Sequence, residues 1–140
     1  MFNRRTLFIV GAGASAEVNF PTGPQLARNI GDRLDFTEGT KTGDRELLAK
    51  FRQYYEPKLQ DIIAASLRIR DGIVLSPSID EFLDIHNEDT NVQKVGKPAI
   101  ARAILSAERE SKLFLDSKNG QTTIDMRAID DTWYVRLMLC

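Results

Sequence analysis

A glycine-rich segment near the start of the chain has residue types that can bind a phosphate group. Residues 11–15 read Gly-Ala-Gly-Ala-Ser and directly follow an apolar run at residues 6–10. A buried parallel strand that ends in a glycine turn can present its backbone amides to a phosphate. The segment therefore predicts a nucleotide ligand, and a tight turn without any ligand is the alternative.

Part of this segment also fits the dinucleotide-binding fingerprint. The matching positions are Gly11, Gly13 and Ala16. That fingerprint needs a helix that runs straight on from the glycines, and Pro21 limits such a helix to a short one. It also expects a second strand that ends in an acidic residue about twenty residues further on. Asp35 lies near that position, but the chain around it has the pattern of a helix.

The glycine segment and the residues after it resemble the NAD-binding signature of the sirtuin family. In that signature a Gly-Ala-Gly-x-Ser loop is followed, three residues later, by Gly-Ile-Pro. Here Asn19 stands at the position of the glycine and Pro21 at that of the proline. Asparagine is the non-glycine residue that best tolerates a left-handed backbone. The Asp-Phe-Arg of protein deacylases is replaced by Thr22-Gly23-Pro24, and the chain has no cysteine pairs for zinc, which argues against acyl-lysine removal.

The continuation of this motif looks like the sirtuin-like NAD-consuming domains of bacterial antiphage systems. A leucine, Leu26, follows three residues after the Pro-Thr-Gly stretch, and residues 78–83 are also similar to a stretch of those domains. The resemblance implies an α/β fold, with a Rossmann-like parallel sheet and covering helices. It implies an NAD hydrolase of antiviral defence that cleaves the bond between nicotinamide and ribose. The NAD-binding residues would be Gly11, Ala12, Gly13, Ala14, Ser15, Pro21 and Thr22.

Two other functions remain open at this point. One is a non-enzymatic module that binds NAD or ADP-ribose to control assembly or an effector partner, and antiphage relatives imply a homo-oligomer. The other is a fragment of a flavin or NADP oxidoreductase, for which Asp35 would have to end a second strand.

No residue of this chain is assigned as catalytic. His86, the sole histidine, shares an apolar helix face, so a packing role is expected. Asp80 and Glu81 belong to a capping box that begins at Ser78. Glu17 is expected to face solvent or a ribose hydroxyl, and Trp133 to lie in a core or a subunit contact.

The hydrophobic pattern predicts one buried strand, at residues 6–10, and about five helices. The helices are expected after Thr22, over residues 47–55, over residues 59–72, after Ser78 and from Pro98. Residues 133–139 are expected to form a helix capped by Thr132, or a strand. One buried parallel strand needs partner strands for its backbone groups. We therefore expect residues 1–140 to be the N-terminal part of a single sirtuin-like domain, with little activity alone.

The composition excludes several other classes. The net charge is −1, from 19 basic and 20 acidic residues, so nucleic acid is not an expected partner. The apolar runs are too short to span a membrane. Cys140 is the sole cysteine, which excludes an internal disulfide, and no metal site is predicted. We expect a cytoplasmic protein.

Overall fold

Helices make up most of the regular structure in the computed structural model of this chain. The structure describes residues 7, 12–39, 41–116, 122–124, 130 and 132–139. The elements, in chain order, are a 3₁₀ helix Ala12–Val18, α1 Gly23–Arg33, α2 Arg45–Tyr55, a 3₁₀ turn Glu56–Lys58, α3 Leu59–Ile73, α4 Ile79–Ile85, α5 Thr90–Arg109, β1 Phe114–Asp116, β2 Thr122–Ile124 and α6 Trp133–Leu139. The chain divides into two compact units, Gly23–Ile104 and the described residues on either side of that range.

The prediction of a Rossmann-like parallel sheet is wrong. Among the described residues the only sheet is a two-stranded antiparallel one, in which Phe114 of β1 pairs with Ile124 of β2. The expected buried strand at residues 6–10 lies outside the described residues except for Leu7, which is 85% exposed. A short apolar run does not identify a buried strand by periodicity alone, whereas the helical spacing elsewhere is repeated over many turns.

The core of the unit Gly23–Ile104 lies between helices α1 to α5. Its fully buried large apolar side chains recur at spacings of three, four or seven, so they line one face of each helix. They are Ile30, Leu34, Ile62, Ile69, Ile73, Val92 and Val95. Gly31 brings α1 close to α3, since a Cβ atom at this position would lie 3.7 Å from the Arg70 carbonyl oxygen.

The inward faces of two helices were predicted only in part. In α2 the apolar residues Leu47 and Phe51 are buried, but Tyr54 is 69% exposed. In α3 the apolar residues Ile63 and Leu67 are only half-buried. The 3₁₀ turn Glu56–Lys58, which contains a proline, separates the two helices.

Side-chain caps determine where three helices begin. Asp44 accepts hydrogen bonds from the amides of Glu46 and Leu47 at the start of α2. Ser78 accepts one from the amide of Glu81 at 3.1 Å, which confirms this half of the predicted capping box. Asp89 accepts from the amides of Asn91 and Val92 in the first turn of α5, at 3.0 and 3.1 Å.

The prediction that Pro98 opens a helix is wrong. Pro98 lies inside α5, which begins eight residues earlier at Thr90. The cap formed by Asp89 supplies the start, and buried Val92, Val95 and Ala99 extend the same helix face through the proline. Proline removes one backbone hydrogen bond from a helix interior, and the burial of this face outweighs that loss.

The Asp44 carboxylate joins three helices of this unit. One oxygen caps α2, and the other accepts from Arg33 Nη1 of α1 and Arg102 Nε of α5, both at 3.0 Å. The Asp44 side chain is only 7% exposed, and Arg102 also pairs with exposed Glu46. Burial raises the pKa of Asp44, but the Leu47 amide and the two guanidinium groups outweigh burial and hold the pKa below 3.8.

We predict that Asp44→Asn lowers the free energy of unfolding by about 1–3 kcal/mol at pH 7, because asparagine keeps the cap but not the charge. Since the folded pKa is depressed, this stabilisation is present above about pH 4 and is lost as the pH falls through the folded value. Urea denaturation of both proteins between pH 7 and 2.5 should therefore show a difference that shrinks in acid. The control Glu46→Gln, at an exposed side chain, should cost less than about 0.5 kcal/mol. A difference for Asp44→Asn that stays constant with pH would contradict this role.

A second prediction concerns Gly72 in α3. A Cβ atom at this position would lie 2.5 Å from Cε2 of Phe82, whose ring is buried. Gly72→Ala should therefore lower stability by about 1–2 kcal/mol, although alanine is the better helix former. Gly23→Ala is the matched control, because a Cβ atom there meets nothing within 4 Å and should cost no stability. Equal midpoints of urea denaturation for the two variants would show that the Gly72–Phe82 approach is not tight.

Candidate functional site

The described part of the glycine segment forms the 3₁₀ helix Ala12–Val18 and a left-handed turn after it. Asn19 has a φ of 68°, the only positive value at a non-glycine position among the described residues. Its amide donates to the Ala16 carbonyl and the Phe20 amide to the Ser15 carbonyl, each at 3.1 Å. These two bonds form the Schellman motif that commonly ends a helix, with Asn19 at the position where glycine is preferred.

Asn19 therefore has the left-handed backbone that asparagine tolerates better than other non-glycine residues. The expected order of elements after it holds, because Pro21 and Thr22 lie outside any helix or strand and α1 begins at Gly23 with Pro24 in its first turn. No long helix runs on from the glycines, in contrast to the dinucleotide fingerprint. Gly11 lies outside the described residues.

Two other segments of the chain hold this 3₁₀ helix. Trp133 of α6 donates from its indole Nε1 to the Ala14 carbonyl at 2.9 Å, and from its backbone amide to Glu17 Oε2 at 2.8 Å. The amide of Lys112, just after α5, donates to the Val18 carbonyl at 3.1 Å. Glu17 is exposed, as expected, but its carboxylate is bound to α6.

The solvent-facing side of the 3₁₀ helix is formed by small residues. Gly13, Ser15 and Ala16 are exposed, while Ala14 is half-buried. Among the described residues, a Cβ atom on Gly13 would meet nothing within 4 Å, and Gly13 does not have a positive φ. The packing of the described residues therefore does not require glycine at this position.

His86 has the packing role that its apolar face predicted. Its ring stacks on Phe82, with centroids 4.3 Å apart and planes inclined by 26°. Its Nδ1 lies 2.8 Å from the Phe82 carbonyl oxygen, and an oxygen of this kind only accepts, so Nδ1 carries the proton. Asp80 is exposed in the first turn of α4, where it faces the positive end of the helix dipole.

Asp35 follows α1 and does not end a strand. Its carboxylate accepts from the Thr37 hydroxyl at 2.7 Å and from Arg70 Nη1 at 2.8 Å. The Thr37 hydroxyl, against the effect of burial and together with Arg70, holds the pKa of Asp35 below its usual value. The acidic strand end that would have favoured the oxidoreductase alternative is therefore absent at Asp35.

Two groups of residues with specific polar contacts were not predicted. The hydrogen bond between Trp133 and Glu17 joins positions 116 residues apart, for which a single sequence has no signal. The position of Asp44 just before an amphipathic helix indicates an N-cap. Nothing in the sequence indicates its ion pair with Arg102, 58 residues away.

The described residues contain no group of three or more histidine, cysteine, aspartate or glutamate side chains placed to hold a metal ion. In the same part of the chain, every helix is too short or too polar to cross a membrane. No protein-family model, curated protein or solved structure matches this chain.

The geometry of the turn predicts how substitutions of Asn19 rank by the stability of the resulting protein. Asn19→Gly should leave the free energy of unfolding within about 0.5 kcal/mol of the original, because glycine adopts a positive φ freely. Asn19→Ala should cost about 1 kcal/mol and Asn19→Val more, since a branched side chain is strained there. Thermal and urea denaturation of the three variants measure this order. Equal stability of the glycine and valine variants would contradict the left-handed turn.

Proposed function

We propose that this chain binds NAD at the glycine segment and forms part of a sirtuin-like NAD hydrolase. The observation that carries the proposal is the conformation of Asn19. This residue stands where the family signature has a glycine, and it has the left-handed backbone that a glycine would favour there. The residues proposed to contact NAD are Gly11, Ala12, Gly13, Ala14, Ser15, Pro21 and Thr22.

The open space beside Gly13 supports this assignment. Neither the backbone angle nor a neighbouring atom requires a glycine there. A ligand that approaches the backbone closely would require one, because any side chain would occupy its place. We therefore assign to this side of the 3₁₀ helix the diphosphate of NAD, with backbone amides and the Ser15 hydroxyl as donors.

The proposed reaction is hydrolysis of the bond between nicotinamide and ribose. Cleavage at an anomeric carbon passes through an oxocarbenium-like species, which an enzyme stabilises with a shaped pocket and a base for the attacking water. In this proposal the residues of the glycine segment bind and orient the diphosphate. No residue of the chain is assigned as the base. Antiviral defence in the cytoplasm is the proposed setting, and a homo-oligomer or an effector partner the proposed assembly.

The placement of His86 favours a second candidate function. The only histidine stacks on Phe82 and is held through Nδ1 by a backbone carbonyl at the end of α4. A chain that supplies no base would bind NAD or ADP-ribose without cleaving it. Such a module would use the bound nucleotide to control assembly or an effector. Nicotinamide release by the longest native form of the protein separates the two functions, since the module would bind NAD and release none.

Gly13→Val tests the proposed binding site. Its side chain fills space that the protein leaves open, so we expect NAD affinity to fall by more than about thirtyfold with stability unchanged within about 1 kcal/mol. Isothermal titration calorimetry measures the affinity, and urea denaturation the stability. The control Ala64→Val introduces the same side chain at an exposed position of α3 and should bind NAD like the original protein. Unchanged NAD affinity in Gly13→Val would refute the proposed site.

A further inference from the structure

One face of the 3₁₀ helix Ala12–Val18 is bound to α6 by two hydrogen bonds. A 3₁₀ helix has three residues per turn, so residues three apart lie one above the other. Ala14 and Glu17 are such a pair, and both accept hydrogen bonds from Trp133. The other two faces carry Gly13 with Ala16, and Ser15 with Val18. Of these four residues, all but Val18 are exposed.

We infer that Trp133 is a positioning residue of the nucleotide site: its two hydrogen bonds set the rotation of the 3₁₀ helix about its axis, so that Gly13 and Ser15 face the ligand. This inference rests on the proposed function and adds to it that α6, through Trp133, holds the binding site in its binding conformation. NAD affinity then depends on the docking of α6 against the 3₁₀ helix.

The strength of this attachment follows from the chemistry of the two bonds. The backbone amide of Trp133 is the first of α6 and has no carbonyl partner within its own helix, so the Glu17 carboxylate satisfies it. A hydrogen bond to a charged acceptor is stronger than one between neutral groups. The indole has a single donor, which it uses on the Ala14 carbonyl. With both bonds made, rotation of the 3₁₀ helix would break two specific contacts at once.

Glu17 offers the sharper test, because it is exposed and its replacement leaves the Trp133 side chain itself unchanged. Glu17→Ala removes the acceptor for the Trp133 amide, and Glu17→Gln keeps an oxygen at the same place. We expect Glu17→Ala to weaken NAD binding about tenfold, and Glu17→Gln to remain within about threefold of the original. Trp133→Phe, which keeps an aromatic ring but removes the indole donor, should weaken binding to a similar extent as Glu17→Ala.

The fluorescence of Trp133 distinguishes positioning from a general loss of structure. Trp133 is the only tryptophan, so quenching by acrylamide reports on this side chain alone. In Glu17→Ala we expect quenching to increase, while urea denaturation shows the protein still folded at the temperature of the calorimetry. In Glu17→Gln the quenching should stay near the original value. Across the variants, those in which Trp133 is quenched more strongly should also bind NAD more weakly.

The possible outcomes separate this inference from the proposed function. If the original protein does not bind NAD, the proposed function fails and this inference fails with it. If the original binds NAD and both Glu17→Ala and Trp133→Phe bind equally well, the site stands but Trp133 does not position it. If Glu17→Gln loses as much affinity as Glu17→Ala, Glu17 acts on the ligand directly, which overturns the positioning role. Should Trp133→Phe fail to fold, the two Glu17 variants still decide the question.

Discussion

Four hydrogen bonds converge on the carboxylate of Asp44, and the helical unit Gly23–Ile104 depends on this arrangement. Two come from the amides at the start of α2, one from Arg33 of α1 and one from Arg102 of α5. A nearly buried carboxylate is costly unless such donors surround it. The same four bonds therefore stabilise the charge and fix the start of α2 against two other helices. Displacing any of these three helices would leave a buried charge partly unpaired.

The helices were largely predictable because their signals are local. Ile30 and Leu34 lie four residues apart and are fully buried, and Ser78 caps α4 as its spacing from Glu81 indicated. The parallel sheet was wrong because it depended on a short apolar run whose partner strands had no signal of their own. Pro98 was misread because proline usually marks a helix start, whereas here the cap at Asp89 and the buried face of α5 set the start earlier.

At the candidate site, too, the sequence contains a signal for a local feature but none for a contact between residues far apart in the chain. At Asn19 the residue type indicated that a left-handed backbone is tolerated, and the structure has that backbone there. The attachment of the segment to α6 had no such signal, because Trp133 and Glu17 are far apart in the chain and neither has a distinctive neighbourhood. The residue type is thus compatible with the turn, but nothing local indicates the contact that orients it.

The backbone amide signals of the glycine segment, followed by nuclear magnetic resonance during a titration with NAD, test the central claim most directly. The account predicts saturable shifts concentrated at Gly13, Ala14 and Ser15, with smaller shifts at Asn19 and at the indole of Trp133. The amides of α2 and α3 should serve as an internal reference and stay unchanged. Saturable shifts that appear elsewhere and leave Gly13, Ala14 and Ser15 unmoved would contradict the account.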